Sequence, residues 1–157
     1  MNRWLFKSEP DAFSIDDLAA APGKRTHWDG VRNYQVRNMI RDEMQAGDLG
    51  FFYHSSCPEP GIAGIVKVVG KPKPDESAFD PASKYHDPAS KPEAPRWYMI
   101  DVQLVRKFPR LVSLEELRAH EERKLSGMLI LRRGNRLSIT PVEEKHWRII
   151  ESLAAAS

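Results

Sequence analysis

The sequence predicts a mixed α+β fold built around one strongly curved sheet. Short runs of aromatic and β-branched residues are typical of strands, and helical patterns lie between them. The order of these segments lacks the repeated β-α-β units of a parallel sheet, and neighbouring strand candidates are joined by turn sequences. A small barrel with helices around it satisfies this order.

The first predicted element is a strand over residues 3–7, an aromatic segment bounded by Pro10. A short helix follows it. Ser14 is a typical N-cap, Asp17 stands three residues later, and Pro22-Gly23 ends the pattern. The chain therefore enters the fold as a strand followed by a capped helix.

A second helix is predicted over residues 33–44, where apolar side chains recur at spacings of three and four, and it ends near Gly47. Residues 49–53 and 62–69 are the strongest strand candidates, and we expect them to pair. Six prolines between residues 71 and 95 predict an extended surface loop.

The C-terminal third begins with a predicted strand over residues 97–105 and a helix capped by Ser113. Residues 128–131 suit a helix or a strand, and residues 137–139 resemble a closing strand. Thr140 is the predicted N-cap of the last helix. Three residues give that helix an inward face: Trp147, Ile150 and Leu153.

The composition is that of one folded domain, expected to span residues 1–157. Hydrophobic residues make up 41% and charged residues 29%, unlike a disordered chain. No apolar run has transmembrane length and the N-terminus carries no signal-peptide core, so we expect a cytoplasmic protein, nuclear in a eukaryote, without membrane contact. Cys57 is the single cysteine, which excludes an internal disulfide.

Cationic residues are clustered although the net charge is only +2. Residues 24–41 hold five Lys or Arg and one acid, and residues 123–136 hold five and no acid. Such clusters suit phosphate contacts, and they equally suit a solvated face. Arg132, Arg133 and Arg136 are the candidates for binding phosphate.

Four blocks combine aromatic residues, glycine and side-chain amides or hydroxyls near predicted strand ends. They cover residues 4–10 (WLFKSEP), 28–33 (WDGVRN), 51–55 (FFYHS) and 61–64 (GIAG), and residues 95–97 and 136–142 follow in order. In this combination the chain resembles the EVE domain family over nearly its whole length.

The resemblance implies a PUA-like fold, a curved β-barrel of about five to six strands with helices packed around it. This fold is similar to that of the YTH readers of methylated RNA. The resemblance also implies a non-catalytic pocket for a flipped, modified base, with modified cytosine in DNA as the ligand usually suggested. The expected partner is nucleic acid carrying a modified base, bound by a monomer without cofactor.

Residues 28–33 suit such a pocket on physical grounds. Stacking an extruded base on an aromatic wall is worth about 1–3 kcal/mol. Trp28 is the predicted wall because it stands in a polar loop, and Asn33 offers a donor and an acceptor to a base edge. Gly30 permits close backbone approach, and Arg32 suits phosphate contact or stacking. The predicted ligand-binding set is Lys7, Ser8, Trp28, Gly30, Val31, Arg32, Asn33, Tyr53, His54, Ser55 and Trp97.

Structural roles compete with these assignments. Trp4, Trp97 and Trp147 are typical core residues, because large aromatic side chains usually bury their area in packing. Asn33 suits the N-cap of the helix that follows it as well as it suits a ligand contact.

Two other classes of function remain open. A hydrolase or nucleic-acid-processing enzyme would use His54 and Cys57, but neighbouring strand residues point to opposite faces, so His54 is poorly placed to act on Ser55, and no orienting acid is identifiable. An interaction module would bind a small molecule or a protein in the same pocket, without steep salt dependence. The histidines lack metal-ligand spacing, so no metal site is predicted.

Overall fold

The computed structural model describes residues 1–132 and 135–155, and within them the fold is a mixed sheet with four α-helices. The strands are β1 (Arg3–Ser8), β2 (Arg25–Trp28), β3 (Leu49–His54), β4 (Gly61–Pro74), β5 (Tyr98–Ser113) and β6 (Ile139–Pro141). The helices are α1 (Ile15–Ala20), α2 (Tyr34–Asn38), α3 (Leu114–Ala119) and α4 (Glu144–Ala155). The predicted α+β class is confirmed.

All six strands join one sheet in the order β2-β5-β4-β3-β1-β6. β1 and β3 are parallel, and the other neighbouring pairs are antiparallel. Because β2 and β6 lie at opposite edges, the predicted closure into a barrel is not observed in the described parts of the chain. Register shifts along the β4–β5 pair bend the sheet instead.

Each face of the sheet carries a hydrophobic cluster, because alternate residues of a strand point to opposite sides. Phe6 and Phe52 belong to the cluster that packs on α1 and α2. Leu5 and Phe51 belong to the cluster on the other face, where the Trp147 ring of α4 stacks on Phe51 with centroids 3.8 Å apart. The predicted inward face of the last helix is therefore confirmed.

The first two helices begin where local signals place them. Ser14 Oγ accepts from the Asp17 N–H at 3.1 Å, and Asp17 Oδ2 accepts from the Ser14 N–H at 2.8 Å. Asn33 Oδ1 accepts from the Val36 N–H at 3.0 Å, which confirms Asn33 as the N-cap of α2. The helical path continues beyond α2 as one π-helical turn over Met39–Glu43.

Strand β2 was not predicted, and it corrects the placement of Trp28 in a loop. Arg25, Thr26 and His27 precede Trp28 on an edge strand that pairs with β5. The four residues alternate between exposed and half-buried positions. An edge strand with this polar sequence lacks the apolar run by which strands are recognised.

Several further boundaries differ from the prediction. The strand predicted over residues 97–105 runs to Ser113, and the closing strand predicted over residues 137–139 lies at Ile139–Pro141. β4 continues to Pro74, into the predicted 71–95 loop, because Lys73 and Pro74 pair with β5 beyond a bulge. Thr140 is wrong as the N-cap of the last helix: it is buried in β6 and pairs with Leu5 of β1. α4 begins at Glu144 instead. At the end of β4 and at Thr140, pairing with a distant strand overrides the local signal.

In the part of the chain that the structure describes, no helix has both the length and the apolar character needed to span a membrane.

Candidate functional site

A cleft of about 450 Å³ opens beside the ends of β1 and β2. This volume lies within the range of small-ligand sites. Six residues of the predicted ligand-binding set line the cleft: Lys7, Ser8, Trp28, Gly30, Val31 and Arg32. The fold thus brings the end of the first strand to the 28–32 segment, an adjacency that the sequence pattern does not contain.

Trp28 lies between the hydrophobic core and the cleft. Its indole meets Phe6 edge-on at a centroid distance of 5.1 Å and Phe52 at 5.8 Å, with interplanar angles of 64° and 89°. The side chain remains partly exposed and lines the cleft. The indole is therefore a half-buried wall whose orientation is set by two core rings.

The segment after Trp28 is held by Asp75, whose side chain is fully buried. Its Oδ2 accepts from the Gly30 N–H at 2.8 Å and from Arg32 Nη1 at 3.0 Å, and Oδ1 accepts from the Ser77 N–H at 2.9 Å. Burial raises the pKa of Asp75, but the hydrogen bonds from Ser77, Gly30 and Arg32 outweigh it and hold the pKa below its ordinary value. An ionised carboxylate thus anchors one side of the cleft.

Arg32 is engaged by protein groups at each edge of its guanidinium. In addition to the Asp75 contact, Nε donates to the Tyr85 carbonyl at 3.1 Å and Nη1 donates to the Val31 carbonyl at 2.8 Å. Nη2 donates to the Tyr85 carbonyl as well, and to Ser77 Oγ at 3.5 Å. The guanidinium carbon lies 5.4 Å from the centroid of the Trp97 ring. Because a guanidinium has five N–H donors and these are used here, Arg32 positions the loop and has little donor capacity left for a phosphate.

Gly30 allows Tyr85 to pack directly on the backbone beside the cleft. Its φ is +76°, and a Cβ at this position would lie 2.6 Å from Cζ of Tyr85. Tyr85 belongs to the proline-rich loop and lines the cleft, as does Lys84. Sequence analysis missed both residues, since nothing local in that loop distinguishes them from ordinary loop positions.

Ser8 lines the cleft, and its hydroxyl donates its hydrogen bond to a protein carbonyl. Its Oγ donates to the Phe13 carbonyl at 2.5 Å, and its own carbonyl accepts from the Ser55 N–H at 2.9 Å. Ser55 thus lies next to a cleft residue through the backbone, while its side chain is not part of the lining. The Ser8 oxygen keeps acceptor capacity toward the cleft.

Tyr53 and His54 of the predicted set lie away from this cleft. Tyr53 is buried in the cluster on the opposite face, where burial raises its pKa to about 12. His54 Nε2 accepts from the Ile15 N–H at 3.1 Å, and burial lowers the pKa of the imidazole. Cys57 is a free, partly exposed thiol, and no hydrogen bond joins it to His54 within residues 1–132 and 135–155. These contacts give His54 a role at the start of α1.

Trp97 and Asn33 also lie outside the lining. Trp97 is buried, its Nε1 donates to Asp87 at 2.7 Å, and its ring stacks on Tyr34 at 4.7 Å. Asn33 is exposed and its side-chain oxygen caps α2. Trp97 therefore packs against the Arg32 guanidinium outside the cleft lining. Asn33 caps the helix that follows the cleft segment.

Two of the three cationic candidates lie along a neighbouring groove. Arg132 and Arg136 are exposed and line a groove of about 460 Å³ together with Met39 of the π turn. Neither forms an ion pair with any residue that the structure describes, whereas Arg133 lies outside the described residues. Ser138, two residues after Arg136, lines the cleft itself. Residues 136–138 therefore connect the groove to the cleft.

Asp29 is a cleft residue that sequence analysis did not single out, although it stands inside the 28–33 block. Its side chain is exposed on the cleft lining. Loss of solvation raises the pKa of this carboxyl most, and repulsion from Asp75 adds to it. The sequence signal for Asp29 was its position as an acidic residue directly after Trp28, the predicted aromatic wall.

Fold and cleft together define an α+β binding domain with an aromatic-walled cleft that adjoins a cationic groove. The chain belongs to the EVE domain family, whose model matches residues 2–153.

Known proteins similar to this chain include an animal protein and a bacterial one. Thymocyte nuclear protein 1 of Homo sapiens is 43% identical over 166 residues, which span 97% of this chain and 73% of that protein. A crystal structure of the human THYN1 protein in complex with 5-methylcytosine-containing DNA is 41% identical, with a TM-score of 0.94 over 100% of this chain and 99% of that chain. A crystal structure from Pseudomonas putida is 44% identical, with a TM-score of 0.90 over 97% and 99% of the two chains.

Proposed function

We propose that this protein is a non-catalytic reader of modified cytosine in DNA, which receives one extruded base in the cleft beside Trp28. The observation that carries the proposal is the half-buried indole of Trp28, fixed edge-on by two core rings while it lines a cleft of about 450 Å³. The complex of the similar human THYN1 protein with 5-methylcytosine-containing DNA supports the ligand class.

Recognition of an extruded base needs several contributions to offset the cost of unstacking, which is a few kcal/mol. Stacking on Trp28 contributes about 1–3 kcal/mol. Ser8 and Ser138, both on the lining, offer hydroxyl oxygens to the base edge. Lys7 and Lys84 place two ammonium groups at the cleft, where they attract the phosphates that flank the base.

The flanking DNA backbone follows the groove lined by Arg132 and Arg136. Both side chains are exposed and unpaired among the described residues, so they are available to phosphate. Arg133 extends the same cationic segment in the sequence. Phosphate contacts fix the register of the strand, while the cleft selects the base.

The proposed activity is binding alone, by a monomer and without cofactor. His54 supports the N-terminus of α1, and this contact favours a structural role over a hydrolytic one. A DNA ligand places the protein in the compartment that holds DNA, which is the nucleus in a eukaryote and the cytoplasm otherwise.

The test is a binding screen with oligonucleotides that differ only in one base, unmodified or modified cytosine, run at two salt concentrations. We expect the modified base to bind more tightly, and the affinity for every oligonucleotide to fall as salt rises, because phosphate contacts release counterions. Equal binding of all bases would contradict base recognition. An affinity that does not change with salt concentration would instead indicate a small-molecule or protein-interaction module.

A further inference from the structure

Asp29 and Trp28 face the same cleft from consecutive positions. Trp28 ends β2, Asp29 follows it, and Gly30 then turns the chain away with φ +76°. Both side chains line the cleft. The Asp29 carboxyl accepts no hydrogen bond from another residue in the described ranges, so its oxygens are available to a ligand stacked on the neighbouring indole.

Glu9 is the other carboxylate on the cleft lining, and it is placed differently. It stands in a turn after β1, where its carbonyl accepts from the Ala12 and Phe13 N–H groups. Loss of solvation raises the pKa of Asp29, and repulsion from the buried Asp75 raises it further. A proton is therefore held more readily at Asp29 than at an ordinary aspartate.

The groups that face Asp29 do not cancel this effect. Three groups favour the ionised form of Asp29: its own backbone N–H, the imidazole of His27 on β2 and the guanidinium of Arg32. Each of them changes the pKa of Asp29 less than loss of solvation or Asp75 does. The other charged groups on the lining are Lys7 from β1, Glu9 from the turn after it and Lys84 from the proline-rich loop.

A carboxyl that carries a proton matches the edge of cytosine. Cytosine presents its N4 amino group as a donor and its N3 nitrogen as an acceptor, so one carboxyl oxygen accepts from N4–H while the other donates its proton to N3. Thymine carries the same 5-methyl group as 5-methylcytosine but presents N3–H and O4. Because O4 is a far weaker base than cytosine N3, it holds the shared proton less tightly.

We propose that Asp29 reads the N3–N4 edge of the bound cytosine, takes up one proton from solvent as it does so, and thereby discriminates 5-methylcytosine from thymine. The inference rests on the proposed function and assigns the edge-reading role to this carboxyl. Since the complex holds the proton more tightly than the free protein does, affinity for 5-methylcytosine falls as pH rises.

The test compares two oligonucleotides with 5-methylcytosine or thymine at one position, each opposite an abasic site so that neither base is paired. Dissociation constants are measured at about pH 6 and about pH 8, both above the ordinary aspartate pKa, where proton uptake on binding makes the affinity fall as pH rises. The ratio of the two affinities is compared at the two pH values, because a charge change common to both complexes cancels in that ratio.

We expect the unsubstituted protein to prefer 5-methylcytosine by about 10-fold at the lower pH, with a smaller preference at the higher pH. Asp29→Asn retains binding, because an amide pairs with cytosine and, after rotation, with thymine; its preference falls to within about 2-fold and loses its pH dependence. Glu9→Gln, the matched control, keeps the preference. A preference and pH dependence retained by Asp29→Asn would overturn the inference and leave the reader function standing. Failure of the unsubstituted protein to bind either oligonucleotide would overturn both.

Discussion

The indole of Trp28 meets the ring of Phe6 edge-on, with centroids 5.1 Å apart and ring planes at 64°. Phe6 is fully buried, whereas Trp28 reaches the cleft. A planar ligand that stacks on the outer part of the indole therefore meets a wall already held in place, which reduces the entropy lost on binding. The same contact couples the cleft to the stability of the core.

Trp28→Ala separates these two roles. We expect binding to fall about 10-fold or more, because a stacking surface is lost, and the free energy of unfolding to fall by about 2 kcal/mol, because the half-buried indole leaves a gap beside Phe6. Oligonucleotide titration and urea unfolding measure the two effects. Trp28→Phe, the control, keeps an aromatic face and most of the binding. Unaltered affinity in the alanine variant would show that the base stacks elsewhere.

Gly30→Ala tests the close packing of Tyr85 on the backbone. Gly70 provides a matched control, because its φ of +77° nearly equals the +76° of Gly30 while no atom lies within 4 Å of its added Cβ. Backbone strain lowers the stability of both variants by about 1 kcal/mol. Gly30→Ala should lose about 1–3 kcal/mol more, because the Tyr85 ring must move. Thermal or urea unfolding of the pair gives the comparison, and equal losses would contradict a packing role.

Asp75 should make the stability of the protein sensitive to acid. Its pKa is lowered in the folded state, so its contribution is present above the unfolded value of about 4 and is lost as pH falls through the folded pKa. Asp75→Asn should lower the free energy of unfolding at neutral pH by about 3 kcal/mol, because Arg32 loses its buried partner, and should flatten the acid profile. Urea midpoints across the acid range measure both.

Asp42→Asn is the control for that experiment, since Asp42 pairs with Arg41 on the surface. Removing an exposed ion pair should change stability little. If the two variants had the same acid profile as the unsubstituted protein, Asp75 would not be the group that titrates.

Arg136→Ala tests the groove beside the cleft. We expect weaker binding of every oligonucleotide, modified or not, and a salt dependence whose log–log slope is smaller by about 1. Arg148→Ala is the matched control, because Arg148 is exposed on α4 and paired with Glu144 at 3.0 Å. Loss of discrimination between bases in the Arg136 variant, with no change in salt slope, would be the opposite of the expected pattern.

Much of the fold was predictable because its signals are local. The capping residues Ser14 and Asn33 sit next to the helices they start, and the apolar runs of β3 and β4 are continuous. β2 escaped prediction because it is a short polar edge strand, and Thr140 was misassigned because its pairing partner Leu5 is far away in the chain.

Within the candidate site, most residues close to Trp28 in the chain were found, although Asp29 was missed, and those supplied by a distant loop were not. The sequence alone marked the 28–33 block and Ser8 with Lys7, because aromatic, glycine and polar groups stand side by side there. Tertiary structure brought Asp75 and Tyr85 to the same place, turned Arg32 inward to meet them and carried Tyr53 to the opposite face. Propensity and capping act between neighbours in the chain, whereas a cleft is made by sheet order and loop packing, which depend on contacts between residues far apart in sequence.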